Sequence, residues 1–225
     1  MDLDVLLDWL KGREIIYGLL ARLYREGPDT EILAAMVRDG LLGRLAEEES
    51  SEEVREGCRR MQQELSAYQN DLDAYCAKLK EDYNRLFVGP GHLEAPPWES
   101  VYRSPDRLLF SEETLAVREF YRSFGLVNKN LYREPDDHLG LELEFMAWLC
   151  AQCADRLQKH GSDWRRYLQG QQDFLRDHLT QWVPAWSKDV FGHAQTEFLR
   201  GLAQFTRGFI LSDLEEVGTA LDHQK

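Results

Sequence analysis

Val54-Arg55-Glu56-Gly57-Cys58-Arg59-Arg60-Met61-Gln62-Gln63-Glu64-Leu65 opens the stretch whose reading decides the fold. Its apolar positions continue through Tyr68, Leu72, Tyr75, Leu79 and Tyr83 to Leu86, in steps of four and three. That spacing lays one apolar stripe along a helix and turns it toward a core. Asn70-Asp71 is the point at which so long a helix breaks.

The same period recurs on both sides. Leu6, Trp9, Leu10, Ile16, Leu19, Leu20 and Leu23 mark an N-terminal amphipathic helix, and Pro28-Asp29 starts a short one over about Glu31–Leu41. Ser111, followed by Glu112-Glu113, caps a helix that stops at Gly125. Ser162 is read as the cap of the next helix, and Pro184 as the residue that ends or kinks it. Phe198, Leu202, Phe205 and Phe209 form the stripe of a last long helix, where Gly201 and Gly208 share a face and suggest a close helix contact. No alternating strand pattern, repeat or low-complexity run is present. The expectation is an all-α fold: one domain over residues 1–225, a helical bundle of about eight to ten helices with one long, ordered, Pro-rich loop.

At 225 residues the chain can bury a core without disulfides or metals, and four cysteines are too few for a disulfide framework. The acidic start Met1-Asp2-Leu3-Asp4 is unlike a secretory signal, and no apolar run approaches the roughly 18–20 residues of a membrane span. These features read as a cytoplasmic protein with reduced thiols. The formal charge of −13, from 40 acidic and 27 basic residues, repels phosphate backbones and anionic lipid. Nucleic-acid partners and membrane insertion are therefore not expected, whereas a basic ligand would be steered inward. The same charge also serves plain solubility.

Two clusters stand out against this background. Gly89-Pro90-Gly91-His92-Leu93-Glu94-Ala95-Pro96-Pro97-Trp98-Glu99-Ser100-Val101-Tyr102 lies in an irregular region, 88–111, that holds four of the seven prolines. Proline restricts the backbone, so such a loop can be ordered without secondary structure. Glu134-Pro135-Asp136-Asp137-His138 then opens a helix in which ten of the thirteen residues Leu139–Ala151 are apolar, the pattern of a buried central helix. Glu142 and Glu144 need partners if they face inward. A stiff aromatic loop and an Asp-His helix start suit a recognition site. Two other readings stand beside it. Asp137 and His138 can cap the helix and tie down the adjacent loop; Phe87, Trp98 and Tyr102 can be core plugs, which spacing alone prefers, or the wall of a groove. With Glu99 and Ser100 between aromatics, one edge of the loop is expected to face water.

Enzyme-like alternatives are weaker. Asp137, His138 and Glu142 offer three ligands for a metal-dependent hydrolase, but none of the six histidines has Glu three residues before it. Cys150-x-x-Cys153 sits within an apolar helix, where a pair of small core residues is the simpler reading than a redox motif. There is no phosphate-binding Gly-rich loop with Lys-Ser/Thr and no Gly-x-Ser-x-Gly elbow.

Tyr83-Asn84-Arg85-Leu86-Phe87-Val88-Gly89-Pro90-Gly91, Pro97-Trp98-Glu99-Ser100-Val101-Tyr102 and Glu134-Pro135-Asp136-Asp137-His138-Leu139, continuing through Glu142, Glu144, Phe145 and Met146, resemble the TorD/DmsD family of molybdoenzyme chaperones. The resemblance implies an all-α cytoplasmic protein with no reaction and no cofactor of its own. It implies a partner as well: the twin-arginine leader, and the body, of a molybdenum-cofactor oxidoreductase subunit, held until its cofactor is inserted. A NarJ-type chaperone of a non-exported client is the related alternative. A monomer and a helix-exchanged dimer are both compatible with such a bundle. By motif, Trp98, Ser100, Tyr102, Pro135, Asp137 and His138 line the leader site, with Asp136 as an added carboxylate. Burying one Leu or Phe contributes about 1.5–3 kcal/mol; an exposed Arg–carboxylate pair contributes roughly 0–1 kcal/mol. The apolar run of a leader should therefore supply the affinity, against Trp98, Tyr102 and Phe87. Asp136, Asp137 and Glu99 are expected to orient its arginines, with His138 fixing a carboxylate or donating to a peptide carbonyl.

Overall fold

Pro28-Asp29 and Asn70-Asp71 act as the sequence signals suggest. Asp29 and Asp71 both accept a backbone N–H from the first turn of a helix, at Ile32 (2.7 Å) and Ala74 (3.3 Å). The computed structural model describes residues 2–48, 51–129 and 134–223. Its helices are α1 (Leu3–Glu26), α2 (Thr30–Arg38), α3 (Leu41–Glu48), α4 (Glu52–Ala67), α5 (Leu72–Tyr83), α6 (Glu99–Arg103), α7 (Glu112–Ser123), α8 (Leu139–Gln158), α9 (Trp164–Phe174), α10 (Thr180–His193) and α11 (Glu197–Asp222). Wide π-helical turns, Asn84–Val88 and Leu175–Leu179, extend α5 and α9. Ten of the helices have eight residues or more and α6 has five. The fold is all-α, with no strand among the described residues and a lone bridge pairing Trp98 with His138. No helix of the described residues is long and apolar enough to cross a membrane.

Three local expectations are corrected. Asp163, not Ser162, stands at the start of α9. Ser111 precedes α7 but bonds the Glu113 carboxylate instead of a backbone N–H. Pro184 lies inside α10 and does not end it; a wide turn comes earlier, at Leu175–Leu179, where Thr180 Oγ1 and Gln181 Nε2 donate to the carbonyls of Leu175 (2.9 Å) and Arg176 (2.7 Å). Side-chain donors thus satisfy carbonyls in the widened turn.

The helices group into two compact units. One comprises Glu26–Pro96 with Val183–Ser212. Here α4 and α11 approach so closely that a Cβ on Gly57 would lie 2.6 Å from the Gly201 carbonyl, and one on Gly208 2.7 Å from Glu53 Cβ. Glycine at these positions is what allows the contact. In the same unit the Asp82 carboxylate, almost fully buried, accepts the N–H groups of Gln195 and Thr196 (2.8 Å each) and so caps α11 from a distance.

The other unit comprises Met1–Arg25, Pro97–Trp182 and Asp213–Lys225. Arg13 pairs with Asp213 in its interior (2.5 and 2.7 Å), and Tyr17 donates to the same carboxylate (2.5 Å). Phe120, Tyr121, Phe124, Phe145 and Phe174 pack ring against ring. Cys150 and Cys153 lie in this core as thiols, burial pushing both up to about 12, so the helical Cys-x-x-Cys is packing and not a low-pKa redox pair.

Candidate functional site

Trp98 has extended backbone where α6 begins. His138 has the same conformation before α8. The two helix entries lie side by side. Leu139 N–H donates to Pro97 O (2.9 Å), Glu99 N–H to Asp137 O (3.0 Å), and the rings of Trp98 and His138 meet edge to face at 5.5 Å. The two sequence clusters, thirty-odd residues apart in the chain, are therefore one hydrogen-bonded joint.

Asp137 is the pin of that joint. One carboxylate oxygen accepts the Ser100 N–H (2.8 Å), capping α6, and the other accepts Thr114 Oγ1 (2.8 Å) from α7. Burial raises its pKa, and these two donors work against the rise. Asp136 beside it takes the Nε and a terminal nitrogen of Arg118, both at 2.8 Å, and its backbone carbonyl takes Tyr121 Oη (3.2 Å). Glu99 binds Arg103 and the His178 ring (3.0 Å). Glu142 accepts Trp182 Nε1 (3.1 Å). Burial, then the neighbouring Glu99 and Asp137, push Glu142 well above the usual carboxylate range.

These contacts correct the expected exposure. Glu99, Ser100, Asp136 and Asp137 are 0 % exposed, and Pro135 is buried too. The loop edge expected to face water does not do so at Glu99 and Ser100, and neither aspartate is open to an incoming cation. The physical reason is the one bridge: it draws both helix entries together, and their first-turn N–H groups and arginines consume the acids. Trp98, Tyr102 and His138 stay half-buried and reach the surface. Phe87 belongs to the other unit, where it is 4 % exposed and packs on Tyr83 and Trp186, a core position and not a groove wall. The three groups suggested for a metal do not converge as ligands. Asp137 has both oxygens engaged, Glu142 holds Trp182, and His138 Nδ1 accepts the Gly140 N–H (3.0 Å).

That last contact fixes the histidine. With Nδ1 as acceptor the neutral ring carries its proton on Nε2. Burial, reinforced by the charge of Arg25, brings His138 down to about 4, so it stays neutral in ordinary buffers.

A feature absent from the sequence reading lies on the same unit. A cavity of about 420 Å³, open to solvent, is lined by Leu126, Val127, Leu141, Phe145 and Trp148, with Tyr121, Asn128 and Lys129. Arg25 and Glu144, paired at 2.5 Å, complete its lining. The expectation of a wholly buried α8 is corrected here: Leu141 and Trp148 are only half-buried and Glu144 is exposed. Their spacing of three and four along α8 was the available signal; uniform hydrophobicity hid it, because neither apolar face differed in composition.

Residues 47–188 match the family model described as nitrate reductase delta subunit. A Tat proofreading chaperone DmsD from Salmonella typhi is 33% identical over 129 residues, 57% of each chain, so the present chain matches just over half the length of that relative. A chaperone protein TorD from Vibrio cholerae is 30% identical over 190 residues, 81% of this chain and 83% of the relative. A solved redox enzyme maturation protein from Archaeoglobus fulgidus aligns over 88% of this chain and 93% of its own, with 21% identity and a TM-score of 0.48. The chain belongs to the TorD/DmsD family.

Proposed function

We propose that this protein is a cytoplasmic chaperone, without catalytic activity, that binds the twin-arginine leader of a molybdenum-cofactor oxidoreductase subunit and retains the subunit until its cofactor is in place. The observation that carries the reading is the placement, on one unit, of the Trp98–His138 joint and an open apolar cavity beside Arg25, the residue whose charge His138 senses.

The cavity lies within the roughly 300–1,000 Å³ range of sites that take apolar side chains. Each Leu or Phe of a leader buried there contributes about 1.5–3 kcal/mol, more than a surface ion pair does. Trp98 and Tyr102, half-buried on the same unit, supply further aromatic surface, and His138 Nε2–H is a donor for a peptide carbonyl. The buried acids work at one remove: they hold the two helix entries that present Trp98 and His138.

Calorimetric titration with a synthetic peptide, an Arg-Arg pair followed by a Leu-rich run, tests the proposal. Binding by the parent and a clear loss in Trp98→Ala and Trp148→Ala, both folded by circular dichroism, support it. Equal binding by parent and both variants contradicts the site. Titration of a client subunit with and without its leader separates an exported client from a NarJ-type one: affinity that survives leader removal favours the latter.

A further inference from the structure

We propose that Arg25 is a built-in substitute for a leader arginine, holding Glu144 until a peptide guanidinium takes its place. The inference rests on the leader-binding reading above and deepens it.

The sequence offered Glu99, Asp136 and Asp137 as partners for the arginines, and the structure removes all three, enclosed and engaged by Arg103, Arg118, Ser100 and Thr114. Among the described residues lining the cavity, Glu144 is the carboxylate that remains. Its side chain is 61 % exposed, and its partner is Arg25 at 2.5 Å.

Arg25 is held in position by its stem. It crosses the start of α8 so closely that a Cβ on Gly140 would lie 2.3 Å from Arg25 Cγ. A glycine there leaves the lane open, and His138 caps that same residue's N–H. The guanidinium also reaches Glu134 at 3.7 Å. Arg25 can therefore release Glu144 and keep a carboxylate partner, which makes the exchange easy. Lys129 lines the cavity as well, and its charge opposes a second cation inside. One guanidinium at Glu144 and apolar side chains in the interior satisfy both constraints. An Arg followed by an apolar run has that chemistry.

Two peptides, Arg-Arg-Leu-rich and its Gln-Gln counterpart, test the inference by calorimetry at low salt. Arg25→Met keeps the stem and removes the competitor. The Arg-Arg peptide should bind it up to about fivefold tighter than the parent, the scale of an exposed ion pair, with the Gln-Gln peptide unchanged. Glu144→Gln should weaken the Arg-Arg peptide by a similar factor and cancel the gain in the double variant. Arg25→Gln repeats the test with a polar stem end. No gain, a loss, or an equal gain for both peptides in Arg25→Met overturns the inference alone. A parent that binds neither peptide overturns the leader-binding reading and this inference with it.

Discussion

The acid-rich joint and the apolar cavity belong to one unit of this protein, yet they treat their charges in opposite ways. In the joint, Asp136, Asp137, Glu99 and Glu142 are enclosed, and arginine, hydroxyl, indole or backbone donors engage them. At the cavity, the Arg25–Glu144 ion pair stands at an open apolar surface. Charge that is buried and engaged specifies geometry; charge that is exposed and exchangeable can select a ligand. A dense sequence motif can thus mark a rigid frame while the open cavity on the same unit carries no motif.

The largest effect should come from breaking the frame. Arg118→Met leaves Asp136 buried without its cation and should lower unfolding free energy by about 3–5 kcal/mol in urea titration. A loss under 1 kcal/mol would mean the pair is not enclosed as described. Acid should weaken the frame next. His138 binds its proton at about 4 when folded and at the ordinary 6.5 when unfolded. Its contribution is therefore complete above 6.5 and falls away as pH drops from there toward 4, by no more than about 3 kcal/mol at 1.36 kcal/mol per unit. His138→Gln should flatten that limb of the stability profile, and an unchanged limb would remove the assignment. The smallest effect is a gain. The folded protein holds the Glu142 carboxyl above its unfolded range, chiefly through burial, so it costs stability as pH rises above the usual carboxylate range. Glu142→Gln keeps the shape without the titration and should raise stability at pH 8 by about 1 kcal/mol. A decrease would show that the ionised carboxylate is the form the fold uses.

Much of the frame was legible in the sequence. The four-and-three spacing from Val54 gives α4 and α5, with the break falling at Tyr68–Asp71. Gly201 and Gly208 announced a close helix contact, which the structure makes with α4. Asp137 with His138 as cap and tie was one of the open readings, and that is what the hydrogen bonds do. Burial was harder. Asp136, Asp137 and Glu99 look like surface charge in a chain of net charge −13; nothing local reveals that Arg118, His178 and Thr114, distant in sequence, turn toward them. The open face of α8 was equally hidden, because Leu141 and Trp148 read as core when every neighbour is apolar. Arg25 had no motif at all, only a glycine at 140 that makes room for it.

Asp137→Ala and Trp148→Ala, each carried through urea unfolding and titration with the Arg-Arg-Leu-rich peptide, bear most directly on this division of labour. Asp137→Ala should cost about 2 kcal/mol of stability while the folded protein keeps its affinity. Trp148→Ala should cost roughly tenfold or more in affinity, from about 1.5–3 kcal/mol of lost burial. If Asp137→Ala instead loses the peptide at unchanged stability, and Trp148→Ala binds like the parent, the acids are the grip and the account is wrong.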